Sequence, residues 1–351
     1  MKVLGIESSC DETAAAVVED GRRVLSNVVH SQIDIHKVYG GVVPEVAARS
    51  HIEVVNPVIN KALSDAGLSW ENIDGIAVTY APGLIGSLLI GTLAARTIAV
   101  LKNIQLYPIH HIEAHVYANF LGSKIPEFPI LSLIVSGGHT QLVLFRDHGD
   151  FEILGQTRDD AVGEAFDKVA KIIGLSYPGG PSIAEAAKNG NPLACKLPKA
   201  HMEGAYDFSF SGLKTAVLRA VQREAGKDID FPSAGLAELL NDAQRNDFAA
   251  SFQRVAVETL VDKTAEAFYR YCPKSVVIAG GVAANQELRR VLSERIPIDI
   301  EYAPISLCTD NAAMVASLGY YYAQKMPPID PFELEAQSSL LMKSYSKYLK
   351  N

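Results

Sequence analysis

Short apolar segments separated by small polar loops dominate the first thirty residues of the chain. Their spacing predicts a strand at 3–6, a loop at 7–13, and two further strands at 14–18 and 24–29. The last two strands are separated by a charged turn. The pattern therefore predicts a three-stranded meander at the start of the chain.

The same arrangement recurs in the middle of the chain. Residues 131–155 repeat the order of strand, small-residue loop, strand, charged turn and strand. Helical periodicity follows each of the two units, and it predicts helices at 45–66, 85–102, 161–173 and 181–189. A chance recurrence is the alternative, because three-stranded meanders are common. A true duplication predicts two related α/β lobes whose loops meet at a central cleft, which is the plan of the actin-like ATPase and sugar-kinase (ASKHA) fold.

A third segment supports the cleft. The strand Ser275–Ala279 is followed by Gly280, Gly281 and a helix from Gln286, and glycines at such a turn let the backbone approach a ligand. The predicted organisation is an N-terminal lobe at 1–125, a C-terminal lobe at 126–325 and a peripheral tail at 326–351.

Charge and cysteine content narrow the classes of function. The chain has a net charge of −8, which argues against a broad basic surface for nucleic acid. Its four cysteines are far apart in sequence and its first residues lack the pattern of a signal peptide, as is typical of a cytoplasmic protein. The apolar run at 84–101 contains Arg96, so we predict a buried core helix and no membrane span.

Two histidines give the sharpest chemical signal. His111 and His115 are spaced i, i+4, so on a helix both imidazoles project from one face and suit zinc or ferrous iron. A surface histidine cluster is the alternative. A metalloprotease would carry Glu directly after the first histidine, whereas Ile112 stands there and Glu113 is displaced by one position. Protease chemistry is therefore disfavoured.

Carboxylates and small-residue loops supply further candidates. Asp310 precedes a predicted helix and is either a third metal ligand or an N-cap. The loop 136–140 offers backbone amides to an anion, and Asp11 or Glu12 in the acidic loop 7–13 either orients a water, a metal or an amine, or is solvated. Asp167 lies on a helix, where it contacts a ribose or amino-acid group or pairs with Lys171.

Taken together and in order, the motifs resemble the tRNA N6-adenosine threonylcarbamoyltransferase family, formerly described as sialoglycoprotein endopeptidases. The resemblance covers residues 3–320 and is closer to the bacterial branch. The motifs that carry it are Glu-Ser-Ser-Cys-Asp-Glu-Thr at 7–13, His111 with His115, Val-Ser-Gly-Gly-His-Thr at 135–140, Gly-Glu-Ala-Phe-Asp-Lys at 163–168, Tyr-Pro-Gly-Gly-Pro at 177–181, Phe-Ser-Phe-Ser-Gly-Leu-Lys-Thr at 208–215, Gly-Gly-Val-Ala-Ala-Asn at 280–285 and Cys-Thr-Asp-Asn at 308–311.

The resemblance implies an acyl transfer from threonylcarbamoyl-adenylate to N6 of the adenosine 3′ of the anticodon, at position 37. It implies one metal, Fe²⁺ or alternatively Zn²⁺, on His111, His115 and Asp310, and ATP or ADP is a further candidate ligand of the cleft. Asp11 and Glu12 are the candidate bases. The residues implied to contact the donor are Ile134, Val135, Ser136, Gly137, Gly138, Asp167, Gly180 and Asn285.

The resemblance also implies partners. They are tRNA, a catalytically silent paralogue of the same fold and a small P-loop ATPase, and these partners would complete the tRNA surface of an acidic chain. Two rival functions remain: an ATPase or kinase of the same fold, which needs no histidine-bound metal, and a non-catalytic binding role. The presence of all three metal ligands disfavours the non-catalytic role.

Overall fold

A computed structural model of the protein describes residues 1–343, which form two compact units. Within the described residues, the first comprises Met1–Pro126, Phe145–Phe151 and 301–343, and the second comprises Glu127–Leu144 and Glu152–Ile300. Each unit is built around a mixed five-stranded sheet flanked by helices. The α/β class and the two-sheet plan predicted from the sequence are confirmed.

The sheet of the first unit begins with the predicted meander. Its centre is wholly apolar and buried, because helices cover both faces of the parallel part. In space the strands follow the order β3-β2-β1-β4-β5, with β1 antiparallel to β2 and parallel to β4. The strands are β1 (Lys2–Glu7), β2 (Glu12–Glu19), β3 (Arg23–Ser31), β4 (Gly75–Ala81) and β5 (Gln105–His110).

Four helices of this unit lie between or after these strands. They are α1 (Ile33–Lys37), α2 (Pro44–Asp65), α3 (Ile85–Lys102) and α4 (His111–Tyr117). By length and composition α3 is the one helix of the described chain that could cross a membrane, which is weak evidence because core helices pass the same test. Only 33% of α3 is buried, and Leu89, Leu93 and Leu101 are exposed. The prediction of a buried core helix is therefore wrong for the outer face of α3.

The sheet of the second unit repeats the topology of the first. Its strand order is β8-β7-β6-β9-β10, with β6 parallel to β9, so the central strand again pairs with a meander on one side and a crossover strand on the other. This identity of order confirms the duplication. The strands are β6 (Ile130–Val135), β7 (Thr140–Asp147), β8 (Asp150–Gln156), β9 (Ser275–Ala279) and β10 (Ile300–Tyr302).

The second unit carries five helices. The longest, α8, has 30 residues and starts at a capping box in which Asn241 and Gln244 bond each other's backbone. The helices are α5 (Val162–Ile173), α6 (Gly179–Ala187), α7 (Ser211–Glu224), α8 (Asp242–Tyr271) and α9 (Gln286–Arg295). The helices α7 and α8 lie outside the sequence-based predictions.

The helix α10 (Ala312–Ala323) returns the chain to the first unit, where it packs on β1. A Cβ atom on Gly5 would collide with the backbone of Ala312 and Ala316, so α10 lies against the strand at backbone distance. The predicted C-terminal lobe at 126–325 is therefore too long, because the segment from Glu301 onward belongs with the first sheet.

The tail predicted to be peripheral also packs on the first unit over much of its described length. Ile329 forms an antiparallel bridge with Leu106, and Leu334 is buried in the apolar core of this unit. Burial of single apolar side chains such as Leu334 and Met342 holds the tail on the unit, although many of its residues stay exposed. The predicted peripheral segment from residue 344 onward lies outside the described residues.

Candidate metal centre

The two histidines project from one face of a buried helix, as predicted. The strand β5 leads directly into α4, whose seven residues are all buried. His111 and His115 are one turn apart, and their Nε2 atoms lie 3.2 Å from each other. The alternative of a surface histidine cluster is wrong, since the two rings are 8% and 2% exposed.

Asp310 completes the group. Its Oδ1 lies 3.3 Å from Nε2 of His115 and 3.7 Å from Nε2 of His111. One ligand atom from each of the three residues falls within 4.8 Å of the others, which is the donor set of a His₂-carboxylate site. The helix α10 is capped by Asn311, whose side chain accepts from the N–H of Met314 at 3.1 Å. The N-cap interpretation of Asp310 is therefore wrong.

A fourth residue, absent from the sequence-based predictions, contacts the first histidine. Glu7 ends β1, is 1% exposed, and its Oε2 lies 3.1 Å from Nδ1 of His111. Thr79 donates its hydroxyl to the same Oε2 at 2.6 Å, and the Ser9 amide donates to Oε1 at 2.6 Å. The signal that could have revealed Glu7 is an ionisable residue closing an otherwise apolar buried strand.

The electrostatics of this group favour a cation. Burial and the negative charges of Asp310 and Asp11 raise the pKa of Glu12 to about 9. Burial lowers the pKa of His111, but the charges of Glu7 and Asp310 outweigh it and raise that pKa to about 9. Glu12 and His111 thus retain protons because negative charge is in excess around them, and a divalent cation replaces such protons. The residues present fit a divalent metal.

Asp11 and Glu12, the predicted bases, lie in the loop between β1 and β2 and at the start of β2. Glu12 is half-buried and accepts a hydrogen bond from the Ser31 hydroxyl at 3.1 Å. Its raised pKa means that the carboxyl holds a proton at neutral pH, and a cation beside Asp310 would favour the ionised form. The role of these two residues as bases stays a prediction.

Glu113 occupies the opposite side of α4 from the paired imidazoles. Its carboxyl accepts the Tyr322 hydroxyl at 2.7 Å, and burial raises its pKa to about 7. Together with His110 and Gln337 it lines a separate cavity under the tail. Glu113 is therefore not aimed at the ligand atoms of His111 and His115, in agreement with the argument against a protease.

The loop after β6 carries the predicted donor contacts of the second unit. Ile134 and Val135 are buried at the end of the strand, Ser136 is half-buried, and Gly137 and Gly138 are exposed. The loop is closed by the Ser136 amide, which donates to the His139 carbonyl at 2.8 Å. Few side chains therefore shield the backbone of this loop.

Two glycines bring other backbone against this loop. A Cβ on Gly163, in the first turn of α5, would lie 2.5 Å from the Ser136 carbonyl oxygen and 2.8 Å from Cα of Gly137. Gly280 has φ +90°, and a Cβ there would lie 2.5 Å from the Val135 carbonyl oxygen. The structure therefore brings the 280 turn and the 136 loop together, as predicted for the wall of a ligand site. That the 7–13 loop faces them stays a prediction.

The remaining predicted contacts lie near the same helix and turn. Asp167 is half-buried and accepts the Gly179 amide at 2.6 Å, so it is not the exposed helical carboxylate of the alternative interpretation. A Cβ on Gly180 would meet no atom within 4 Å. Asn285 caps α9 by accepting from Leu288 and also donates to Gln253 at 2.9 Å. These residues stay predicted contacts.

Comparison with known proteins identifies the family. The family model described as tRNA N6-adenosine threonylcarbamoyltransferase matches residues 23–317. A protein of that name from Symbiobacterium thermophilum is 54% identical over 323 residues, covering 91% of each chain. One from Bacillus subtilis is 47% identical over 350 residues, covering 98% of this chain and 97% of its own.

Solved structures confirm the fold. HypF from T. kodakarensis superposes with a TM-score of 0.61 at 15% identity, over 92% of this chain and 48% of its own. At this identity the likeness concerns the fold alone. The family model and the relatives lead to one conclusion: the chain belongs to the tRNA N6-adenosine threonylcarbamoyltransferase family.

Proposed function

We propose that this chain transfers the threonylcarbamoyl group from threonylcarbamoyl-adenylate to N6 of adenosine 37 in tRNAs that read codons beginning with adenine. The observation that carries the proposal is the buried group of His111, His115 and Asp310 in a chain of this family. In the transfer, N6 forms a bond to the carbamoyl carbon, the bond from that carbon to the phosphate oxygen breaks, AMP leaves and N6 loses a proton.

His111, His115 and Asp310 would hold one divalent metal, Fe²⁺ or alternatively Zn²⁺. Two imidazoles and one carboxylate suit either ion and leave coordination positions open. When bound, the metal supplies Lewis-acid chemistry toward the oxygens of the donor. The protein's own contribution is to keep the three ligands together: the histidines lie on the buried helix α4, and half-buried Asp310 lies just before α10.

The second unit would hold the donor. The exposed main chain of Gly137 and Gly138 can donate amides to an anion without side-chain crowding, whereas the Ser136 amide is already bonded to the His139 carbonyl. Asp167, half-buried and already accepting from Gly179, would bind a hydroxyl or amine of the donor through its other oxygen. Ile134, Val135, Gly180 and Asn285 would complete the contacts. Holding an activated acyl group in a fixed position supplies much of the rate enhancement.

The N6 amine must lose a proton, and Asp11 or Glu12 would receive it. Glu12 becomes a base only when its carboxyl is ionised, which requires that positive charge offset Asp310 and Asp11. The Glu12 carboxylate would therefore be free to accept a proton only when the metal centre is loaded.

Partners would supply much of the tRNA surface. Of the local basic residues, Lys199 pairs with Glu258 and Asp262, and Arg219 bonds Gln222 and a carbonyl. These side chains are therefore already engaged in ion pairs or hydrogen bonds within the chain. We propose assembly with a catalytically silent paralogue and a small P-loop ATPase in the cytoplasm. The exposed apolar face of α3 supports a protein contact.

Two rival functions predict different products. An ATPase or kinase of the same fold, with ATP or ADP in the donor's place, would release ADP without modifying tRNA. A metalloprotease would cleave a glycoprotein in a way that depends on Glu113.

The test uses the full chain with its two partners, threonylcarbamoyl-adenylate and unmodified tRNA. Digestion to nucleosides and mass spectrometry should show threonylcarbamoyl-adenosine, and a tRNA with guanosine at position 37 should stay unmodified. If the metal-loaded complex produced no modified adenosine while releasing ADP or cleaving a glycoprotein, the proposed function would be wrong.

A further inference from the structure

We propose that Glu7 is a positioning residue that acts on the metal centre through His111. Its carboxylate holds the ring with a proton on Nδ1, so that Nε2 is left as the ligand atom. The inference deepens the proposed function and rests on the three-ligand site described above. Glu7 lies outside the group that would contact the metal or the donor.

The contacts of Glu7 are directional. Its Oε2 lies 3.1 Å from Nδ1 of His111 and also receives the Thr79 hydroxyl, while its Oε1 receives the Ser9 amide. An ionised carboxylate only accepts hydrogen bonds, and a backbone amide only donates them. With 1% exposure, water cannot replace any of these partners cheaply. The carboxylate is therefore fixed before any metal binds.

This arrangement determines where the His111 proton lies. The Ser9 hydroxyl is also 3.2 Å from Nδ1 and could either donate or accept. A bare Nδ1 would place its lone pair against the carboxylate at 3.1 Å, so the N–H form is favoured and the Ser9 hydroxyl accepts. Once the ring has lost its second proton, Nε2 carries the lone pair on the side of His115 and Asp310.

The two imidazoles differ in this respect. Nδ1 of His115 is buried without a hydrogen-bond partner among residues 1–343, so no carboxylate orients that ring through the nitrogen opposite its ligand atom. His111 is thus the anchored ligand and His115 the unanchored one. A defect at Glu7 should accordingly act through His111.

Glutamine cannot reproduce this arrangement. If its oxygen faces His111 and Thr79, its NH₂ group opposes the Ser9 amide, donor against donor. If its NH₂ group faces His111, it favours the tautomer with a bare Nδ1 and a proton on Nε2, the atom needed by the metal. Either orientation weakens the site although size and shape are kept.

The experiment measures zinc affinity of the full chain by competition with a chromogenic chelator. Glu7→Gln is compared with wild type and with Glu113→Gln. The control makes the same change at another buried carboxyl that accepts a hydroxyl, two residues from His111, but on the opposite side of α4. Loss of an outer carboxylate behind a metal-bound histidine typically weakens metal affinity about 10–100-fold. We expect that loss in Glu7→Gln and wild-type affinity in Glu113→Gln.

A second readout reports the ring itself. In the zinc-loaded chain labelled with ¹⁵N-histidine, NMR should show a protected Nδ1–H on His111 whose signal shifts or exchanges faster in Glu7→Gln. Should Glu7→Gln fail to fold, Thr79→Val keeps the carboxylate and removes one of its donors. That variant should shift the same signal and weaken zinc binding by a smaller factor.

Equal zinc affinity and an unchanged Nδ1–H signal in Glu7→Gln would overturn the inference, even with transfer intact. Equal weakening by Glu113→Gln would also overturn it, because the effect would then be one of general core damage. Failure of the proposed function gives a different result: wild type and variants would differ in zinc binding as expected while no modified adenosine formed.

Discussion

The two candidate sites of this chain differ in the chemical groups that form them. In the first unit, ionisable side chains converge from a strand end, a helix and the residue before a helix, and each contacts another of the group. In the second unit, the loop after β6 offers main chain, and its neighbours Gly163 and Gly280 lack the Cβ atoms that would collide with it. One site depends on charge and the other on the absence of side chains.

The difference decides which perturbation each site can withstand. A charged site loses function when a donor atom is changed even though shape is kept. A backbone site has no ionisable ligand to lose, but a single methyl group added at a close approach of two backbone segments forces them apart. Metal content and donor affinity should therefore respond to different classes of substitution.

The largest effect is expected for Asp310→Asn, which removes the anionic ligand and keeps the size of the side chain. Because Asn311 caps α10, the thermal stability of the metal-free chain should be nearly unchanged. Metal content should fall well below one per chain, and transfer should drop at least about 100-fold, roughly 2.7 kcal/mol. Metal analysis and the nucleoside assay measure both.

Asn311→Ala is the matched control for this prediction. Loss of the cap should lower stability by about 1 kcal/mol or more but leave metal on the folded protein. If Asp310→Asn kept its metal while Asn311→Ala lost it, the assignment of ligand and cap would be reversed.

The next effect concerns the backbone site. In Gly163→Ala the new methyl group would meet the Ser136 carbonyl oxygen at 2.5 Å, so the loop must move. Such overpacking typically costs about 1–3 kcal/mol, and we expect donor affinity, measured by titration with a non-hydrolysable adenylate, to fall about tenfold with metal content intact. Gly137→Ala meets no atom within 4 Å and should fold like wild type. Loss of metal in Gly163→Ala would show that the two sites are not separable.

The most graded effect, no more than about tenfold for each pH unit, is that of pH on metal binding. The pKa of His111 in the metal-free chain is raised from 6.5 to about 9, so below pH 9 a metal must displace its proton. Apparent zinc affinity should rise by up to about tenfold per pH unit over that window.

The stability of the metal-free chain should move in the opposite direction. A pKa raised in the folded state stabilises fully below pH 6.5 and loses its effect as pH rises through 9. Chelator competition and thermal melting at pH 6.5–9 measure the two trends. A flat affinity profile would mean that His111 is already neutral and that Glu7 and Asp310 do not govern its charge.

Elements with a strong period were predictable from the sequence. The helix predicted at 85–102 is Ile85–Lys102, and the strand Ser275–Ala279 was predicted with the observed bounds. What failed was the assignment of elements to lobes: α10 is far along the chain yet packs on β1, because Gly5 and small residues of α10 permit contact at backbone distance. No local pattern in the sequence indicates that α10 packs on β1.

The site was predictable where chemistry depends on residue spacing and hidden where it depends on tertiary contact. His111 and His115 follow from their i, i+4 spacing, which fixes one helix face. Glu7 could not be found in this way, because its partners Thr79 and His111 are 72 and 104 residues away. Whether Asp310 caps α10 could likewise not be decided from the sequence. The structure answers this question, because the cap hydrogen bond from the Met314 N–H goes to the side chain of Asn311.

The close packing at Gly5 has a consequence for how sequence variants of this chain are read. Gly5 touches no ligand atom, yet it lies two residues before Glu7 on one strand and against the helix that begins just after Asp310. A methyl group there would push that helix and the third ligand away from the strand that holds the histidine's carboxylate. A genetic screen for loss of metal-dependent activity should therefore recover substitutions of Gly5. A score based only on distance from the metal ligands would wrongly class such a variant as harmless.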